Sequence, residues 1–131
     1  MTADLTALAL AGLVHIIYFL FFSVRANREL DLDYALGPRD GTPSREPSNI
    51  TARLGRAYDN SAAMFGLFAG AVLLIAVSGQ PSTITAVLSW AYVVLRVLYT
   101  PAYMLGLTPW RSVFWIGCLI CCAGLYIAAL V

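Results

Sequence analysis

Residues 57–105, AYDNSAAMFGLFAGAVLLIAVSGQPSTITAVLSWAYVVLRVLYTPAYML, contain two long apolar runs separated by a few turn-forming residues. Crossing ~30 Å of hydrocarbon takes about 20 apolar residues in a helix, and each run has that length. The connection SGQPS at 78–82 is so short that the second run must return beside the first. The segment therefore predicts two neighbouring membrane-spanning helices of opposite direction.

The same pattern continues on both sides of this segment. The connection at 106–111, GLTPWR, is again short. The N-terminal run lacks the basic segment and the small-residue cleavage site of a signal peptide, so it is predicted to stay in the membrane. The chain is thus predicted to be an all-α membrane protein, a single domain over residues 1–131 that forms an up-down bundle of four transmembrane helices. The predicted spans are 5–24, 57–77, 84–105 and 112–131.

Composition supports this class and excludes others. The chain is 60% hydrophobic and 11% charged, which does not describe a soluble domain. All eight basic residues are arginine and the net charge is +1, so no nucleic-acid partner is expected. Arginine in place of every lysine, together with abundant alanine, is typical of a GC-rich bacterial genome and suggests a bacterial inner membrane.

The long first connection, residues 25–51, carries most of the positive charge. A connection of this length in a small protein is usually functional or a partner surface. By the positive-inside rule the loop is predicted to be cytoplasmic. Six of the eight arginines lie in or beside it: Arg25, Arg28, Arg39, Arg45, Arg53 and Arg56.

Arg96 lies near the middle of the third predicted span. An arginine there costs about 2.5–3.5 kcal/mol on insertion scales, so it should face the bundle interior or a wet cavity. Tyr99 and Tyr103 follow at i+3 and i+7 and share its helical face. This pattern favours a binding site, and the alternative is a structural ion pair with Asp59 on the second span.

Two further groups lie at the same cytoplasmic side. Arg53, Arg56 and Asn60 share one face of the second span, where guanidinium forks bind carboxylates. Arg111 and Ser112 open the fourth span, one turn before Trp115. Such a pair can stabilise a thiolate, since lowering a thiol pKa from ~8.5 to ~6.5 requires about 2.7 kcal/mol. The alternative gives Arg111 a topological role, makes Ser112 a helix cap and makes Trp115 an interfacial aromatic.

The remaining reactive side chains favour structural roles. His15 is the one histidine and is predicted to be a neutral interhelical hydrogen-bond partner rather than a metal ligand. Cys118, Cys121 and Cys122 lie in an apolar run with no cation near them in sequence, so packing is favoured over redox chemistry. No metal site is predicted.

Taken together, these motifs resemble the MAPEG superfamily, the membrane-associated proteins of eicosanoid and glutathione metabolism. The resemblance spans nearly the whole chain and includes ALGPRD at 35–40 and RLGRAYDN at 53–60. It implies a homotrimer with active sites between subunits. It also implies that arginines hold glutathione, the co-substrate, while Arg111 and Ser112 stabilise its thiolate. No other cofactor is implied.

The family pattern has a glutamate three positions after the asparagine, where this sequence has Ala63. Three functions therefore stay open. The first is a glutathione-dependent transferase or peroxidase acting on hydrophobic electrophiles, which the Arg111 and Ser112 pair favours. The others, which Ala63 favours, are a non-catalytic lipid-binding or scaffold protein and an accessory subunit of a larger membrane complex.

Overall fold

The computed structural model describes residues 1–29, 37–38 and 48–131. All four helices in these ranges are long and apolar enough to cross a membrane. The predicted all-α class and the four spans are confirmed. The helices are α1 Ala3–Glu29, α2 Asn49–Ser78, α3 Thr83–Met104 and α4 Trp110–Leu130.

The helices α1 and α2 extend beyond the predicted spans on the side of the long connection. The helix α1 runs past Val24 to Glu29, and α2 begins at Asn49. Ser48 caps α2 by accepting the N–H of Thr51 at 3.2 Å. Hydropathy marks only the part of a helix that lies in hydrocarbon, whereas capping decides where the helix starts. The connection predicted at 25–51 is therefore shorter, and its residues Ala35, Leu36, Arg39, Asp40 and Arg45 lie outside the described residues.

Contacts at one end of the bundle show that successive helices alternate in direction. Near the end of α1, Arg25 Nε donates to Thr51 Oγ1 at the start of α2 at 3.2 Å. Arg56 Nε in α2 donates to Tyr103 Oη near the end of α3 at 3.2 Å. Arg111, at the start of α4, places its Cζ 4.9 Å from the Tyr103 ring centroid. We call this the loop end of the bundle, and its contacts confirm the up-down arrangement.

The bundle is built around α2 and α3, which contact each other and both remaining helices. In the described residues α1 and α4 do not contact each other, so they lie at opposite corners. At the centre the rings of Phe68 and Tyr92 stack with centroids 3.9 Å apart. Cys118, Cys121 and Cys122 are free and buried in this core, in agreement with the packing interpretation.

Pro101 in α3 leaves open a backbone acceptor that binds a side chain of α1. Because proline has no N–H, the carbonyl four residues earlier loses its usual helical partner. That carbonyl belongs to Val97, and it accepts a hydrogen bond from Tyr18 Oη at 2.9 Å. A backbone acceptor left open in hydrocarbon is costly, so this bond both satisfies α3 and fixes α1 against it.

Asp4 ties the same two helices together at the opposite end. It lies just before the first predicted span and is only 2% exposed. Ser89 Oγ donates to Asp4 Oδ1 at 2.9 Å, and Thr85 Oγ1 lies 3.2 Å from Asp4 Oδ2. Asp59 was the acid predicted to lie inside the bundle, but among the described residues the acid buried there is Asp4.

Replacing Asp4 by alanine is expected to lower the free energy of unfolding by about 1–2 kcal/mol, because Ser89 loses its buried acceptor. Unfolding by dodecyl sulfate in mixed micelles measures this. Asp59→Ala is the matched control, since Asp59 is exposed, and its expected change is within about 0.5 kcal/mol. Equal losses in the two variants would contradict the structural role of Asp4.

Candidate anion-binding site at the loop end

At the loop end, α2, α3 and α4 line an open pocket of about 190 Å³ that we call the serine pocket. Arg111 and Ser112 lie side by side in its wall, and both present hydrogen-bond donors. The aromatic side chains make the rest of the wall apolar. The lining residues are Asn60, Tyr99, Tyr103, Arg111, Ser112 and Trp115, all of them predicted site residues.

A second cavity of about 180 Å³, the arginine pocket, adjoins the serine pocket. Tyr103 and Arg111 line both cavities, so the two pockets are immediate neighbours. Among the described residues no carboxylate lines either pocket. The full lining is Arg53, Arg56, Tyr103, Gly106, Thr108 and Arg111.

Tyr103 holds two of the guanidinium groups in the arginine pocket. Its hydroxyl accepts from Arg56 Nε at 3.2 Å. The Cζ atoms of Arg56 and Arg111 lie 5.9 and 4.9 Å from its ring centroid. An aromatic face stabilises cations at such distances. The arrangement orients two positive charges towards one space, which suits a ligand carrying carboxylates.

Gly106 was not among the predicted site residues. It has a φ of 69°, and a Cβ atom there would lie 2.9 Å from Arg53 Nη1. The positive φ of the turn favours glycine here, and a side chain at this position would displace the tip of the Arg53 guanidinium. The signal in the sequence is the glycine of the GLTP turn at 106–109, a segment whose short length predicted only a connection between two helices.

Ser112 is not a helix cap, contrary to the alternative raised for it. The helix α4 begins at Trp110, so Ser112 lies inside the first turn, where its N–H donates to Pro109 O at 3.0 Å. Its side chain is exposed on this chain and reaches the serine pocket. The hydroxyl is thus free to act on a ligand.

Arg96 lines neither of these pockets. It is 5% exposed, and its Nη1 donates to Ser61 Oγ at 3.1 Å. Its two Nη atoms lie 3.4 and 3.5 Å from Asn60 Oδ1. With this oxygen engaged, the amide NH₂ group remains to donate to the serine pocket, which Asn60 lines. Arg96 therefore lies behind Asn60 as seen from the serine pocket, and its role in binding a ligand stays a prediction.

The ion pair proposed between Arg96 and Asp59 is absent from the described residues. One residue along a helix turns the side chain by about 100°, so Asn60 and Ser61 face α3 while Asp59 does not. Asp59 is exposed and lines another groove of about 260 Å³ with Phe22 and Arg56, the second of which also lines the arginine pocket. Ala63 is exposed one turn further along α2. Asp59 therefore does not place a carboxylate in the serine pocket.

One structural prediction about a single side chain was wrong. His15 stacks on Tyr58 and Phe65, with ring centroids 4.8 and 5.6 Å away, and makes no side-chain hydrogen bond within the described ranges. Both of these rings belong to the neighbouring helix α2. The described part of the chain holds no cluster of three metal-ligating side chains.

These features define a four-helix integral membrane protein with an arginine-rich pocket at one end of the bundle. Residues 4–131 match the MAPEG family, and the chain belongs to that family. The resemblance identified from the motifs is therefore confirmed. Membership places the chain among membrane proteins of eicosanoid and glutathione metabolism. A comparison with curated proteins finds no match.

Proposed function

We propose that the protein is a glutathione-dependent transferase or peroxidase that acts on hydrophobic electrophiles in the membrane. The observation that carries this proposal is the pairing of Arg111 and Ser112 in a pocket that shares Tyr103 and Arg111 with the arginine pocket. Glutathione has two carboxylates and a thiol, which need guanidinium forks and a donor pair. The two adjoining cavities offer both groups of donors.

In this proposal each residue has a distinct role. Arg53 and Arg56 hold the carboxylates of the peptide, and the Asn60 amide donates a further hydrogen bond. Arg111 and Ser112 stabilise the thiolate by donating hydrogen bonds to it. Hydrogen bonds to a charged acceptor are stronger than those between neutral groups. Trp115 and Tyr99 supply the apolar wall.

The thiolate then reacts in one of two ways. In a transfer reaction its sulfur attacks an electrophilic carbon, and the leaving group departs with its bonding electrons. In a peroxidase reaction two glutathione molecules and one hydroperoxide give glutathione disulfide, an alcohol and water. A lipophilic substrate would reach the sulfur from the bilayer, since Ser112 is exposed on the side of the chain.

The setting of the site supports a larger assembly. The exposed Ser112 and the apolar outer surfaces of the helices favour a homotrimer in which a neighbouring subunit closes the site. Such a subunit would also provide the acceptor that the glutathione ammonium needs, because no carboxylate of the described residues lines either pocket. We place the loop end on the cytoplasmic side of a bacterial inner membrane, on the basis of its arginines.

A second function is favoured by one observation. Ala63 stands where the family pattern has a glutamate, and Asp59 does not line either pocket. A chain without that carboxylate suits a non-catalytic role, either binding lipid or serving as an accessory subunit of a larger membrane complex.

The two functions are separated by adding glutathione to the purified protein in detergent. The enzyme is expected to show ultraviolet thiolate absorbance at neutral pH and to conjugate a chloronitrobenzene. Glutathione sulfonate, which lacks the thiol, should compete for the site without producing the absorbance. The enzymatic proposal fails if the protein neither binds glutathione nor turns the substrate over, and the non-catalytic function then stands.

A further inference from the structure

A small cavity lies on the other side of Arg96 from Asn60, between α1, α2 and α3. Its volume is about 10 Å³, which is about the space that one water molecule or a monatomic ion of similar size needs. The polar side chains that line it are His15, Tyr18, Ser61, Tyr92 and Arg96. None of the described carboxylates lines it.

Two buried donors that line this cavity have no partner among the described protein atoms. They are Nε of Arg96, which is 5% exposed, and Oη of Tyr92, which is 1% exposed. Leaving a buried donor unsatisfied costs about 1–3 kcal/mol, and more for a charged group. The cavity therefore suits a small molecule or ion that accepts hydrogen bonds from these two donors.

The charge of the residues that line the cavity indicates which molecule or ion it binds. The hydrogen-bond acceptors of Arg96 are the neutral groups Asn60 and Ser61, so its charge is not neutralised by a described residue. Ser61 Oγ already accepts from Arg96, which leaves its own proton to donate. Arg96, Tyr92 and Ser61 thus offer three donors. The hydroxyls of Tyr92 and Ser61 can accept as well as donate, so hydrogen bonding alone would suit water. An anion accepts from all three groups and also supplies the missing countercharge, which water does not.

We propose that this cavity binds one monatomic anion, chloride in the cell, as the counter-ion of Arg96. Its volume excludes carboxylates and phosphates. Chloride is only slightly larger than water, and half-buried His15 and Tyr18 form the adaptable side of the cavity. Because Arg96 also contacts Asn60, the ion steadies the serine pocket from behind. The proposal does not depend on glutathione binding.

Thermal unfolding of the protein in detergent tests whether the cavity binds halide. The midpoint is measured in gluconate salt and again after chloride or bromide replaces the gluconate at constant ionic strength. The midpoint of the wild-type protein is expected to rise with halide. Tyr92→Phe keeps the ring stack on Phe68 but removes one donor, so the halide concentration for half of the shift should rise at least tenfold. Tyr126→Phe is the matched control, because Tyr126 does not line the cavity, and its halide response should equal that of the wild type.

Crystals soaked in bromide give an independent measurement, with an anomalous peak expected beside Arg96. A midpoint that is the same in gluconate and chloride would overturn the proposal. So would an unchanged halide response in Tyr92→Phe, or bromide peaks confined to the protein surface. If the cavity holds only water, the midpoint of each protein should be the same in every salt, whether or not Tyr92→Phe lowers it.

Discussion

Replacing Arg111 by alanine is expected to lower kcat/KM for glutathione conjugation about 100- to 1000-fold, the usual loss when one donor to a developing or full negative charge is removed. Arg111 is the guanidinium that lines both pockets beside Ser112. Without it the bound thiol should stay protonated, so the ultraviolet thiolate absorbance should vanish together with turnover. Steady-state kinetics and a glutathione difference spectrum measure the two effects.

The matched control is Arg28→Ala. Arg28 lies in the last turn of α1 and lines neither pocket, so its removal takes away one positive charge from the same side of the membrane. Turnover within about twofold of the wild type is expected for it. A similar loss in both variants would mean that Arg111 acts only through the overall charge of the loop end, and the thiolate role would be abandoned.

Replacing Phe68 by alanine is expected to lower the free energy of unfolding by about 3–5 kcal/mol. Phe68 is fully buried in α2, and its ring stacks on Tyr92 of α3. In a bilayer the helices are held by close packing rather than by exclusion of water, so a cavity between them removes the main attractive contact. Unfolding in mixed micelles and the loss of helical circular dichroism measure the change.

Phe21→Ala provides the comparison for this prediction. Phe21 is 43% exposed on α1, so a lipid chain or detergent fills the space that its ring leaves. Its expected loss is below about 1 kcal/mol. Comparable losses at Phe68 and Phe21 would show that the contact between α2 and α3 does not dominate the stability of the bundle.

Much of the site was predictable because its residues are costly in a membrane. An arginine in or beside an apolar run needs an explanation, and this led to Arg53, Arg56, Arg96 and Arg111. Asn60, Tyr99 and Tyr103 followed from helical spacing alone. The sequence did not indicate that Arg96 would lie behind Asn60, nor that Gly106 would admit Arg53.

The sequence by itself determined the number of helices, their order and their alternating direction. Apolar length and short connections are sufficient for that, since only helices satisfy their own backbone in hydrocarbon. Only the tertiary structure decided how each helix is rotated about its axis. That rotation turned Asn60 and Ser61 rather than Asp59 towards α3 and stacked His15 on Tyr58. The physical reason is that lipid and core are both apolar, so a spanning helix has little amphipathic pattern from which its inward face could be read.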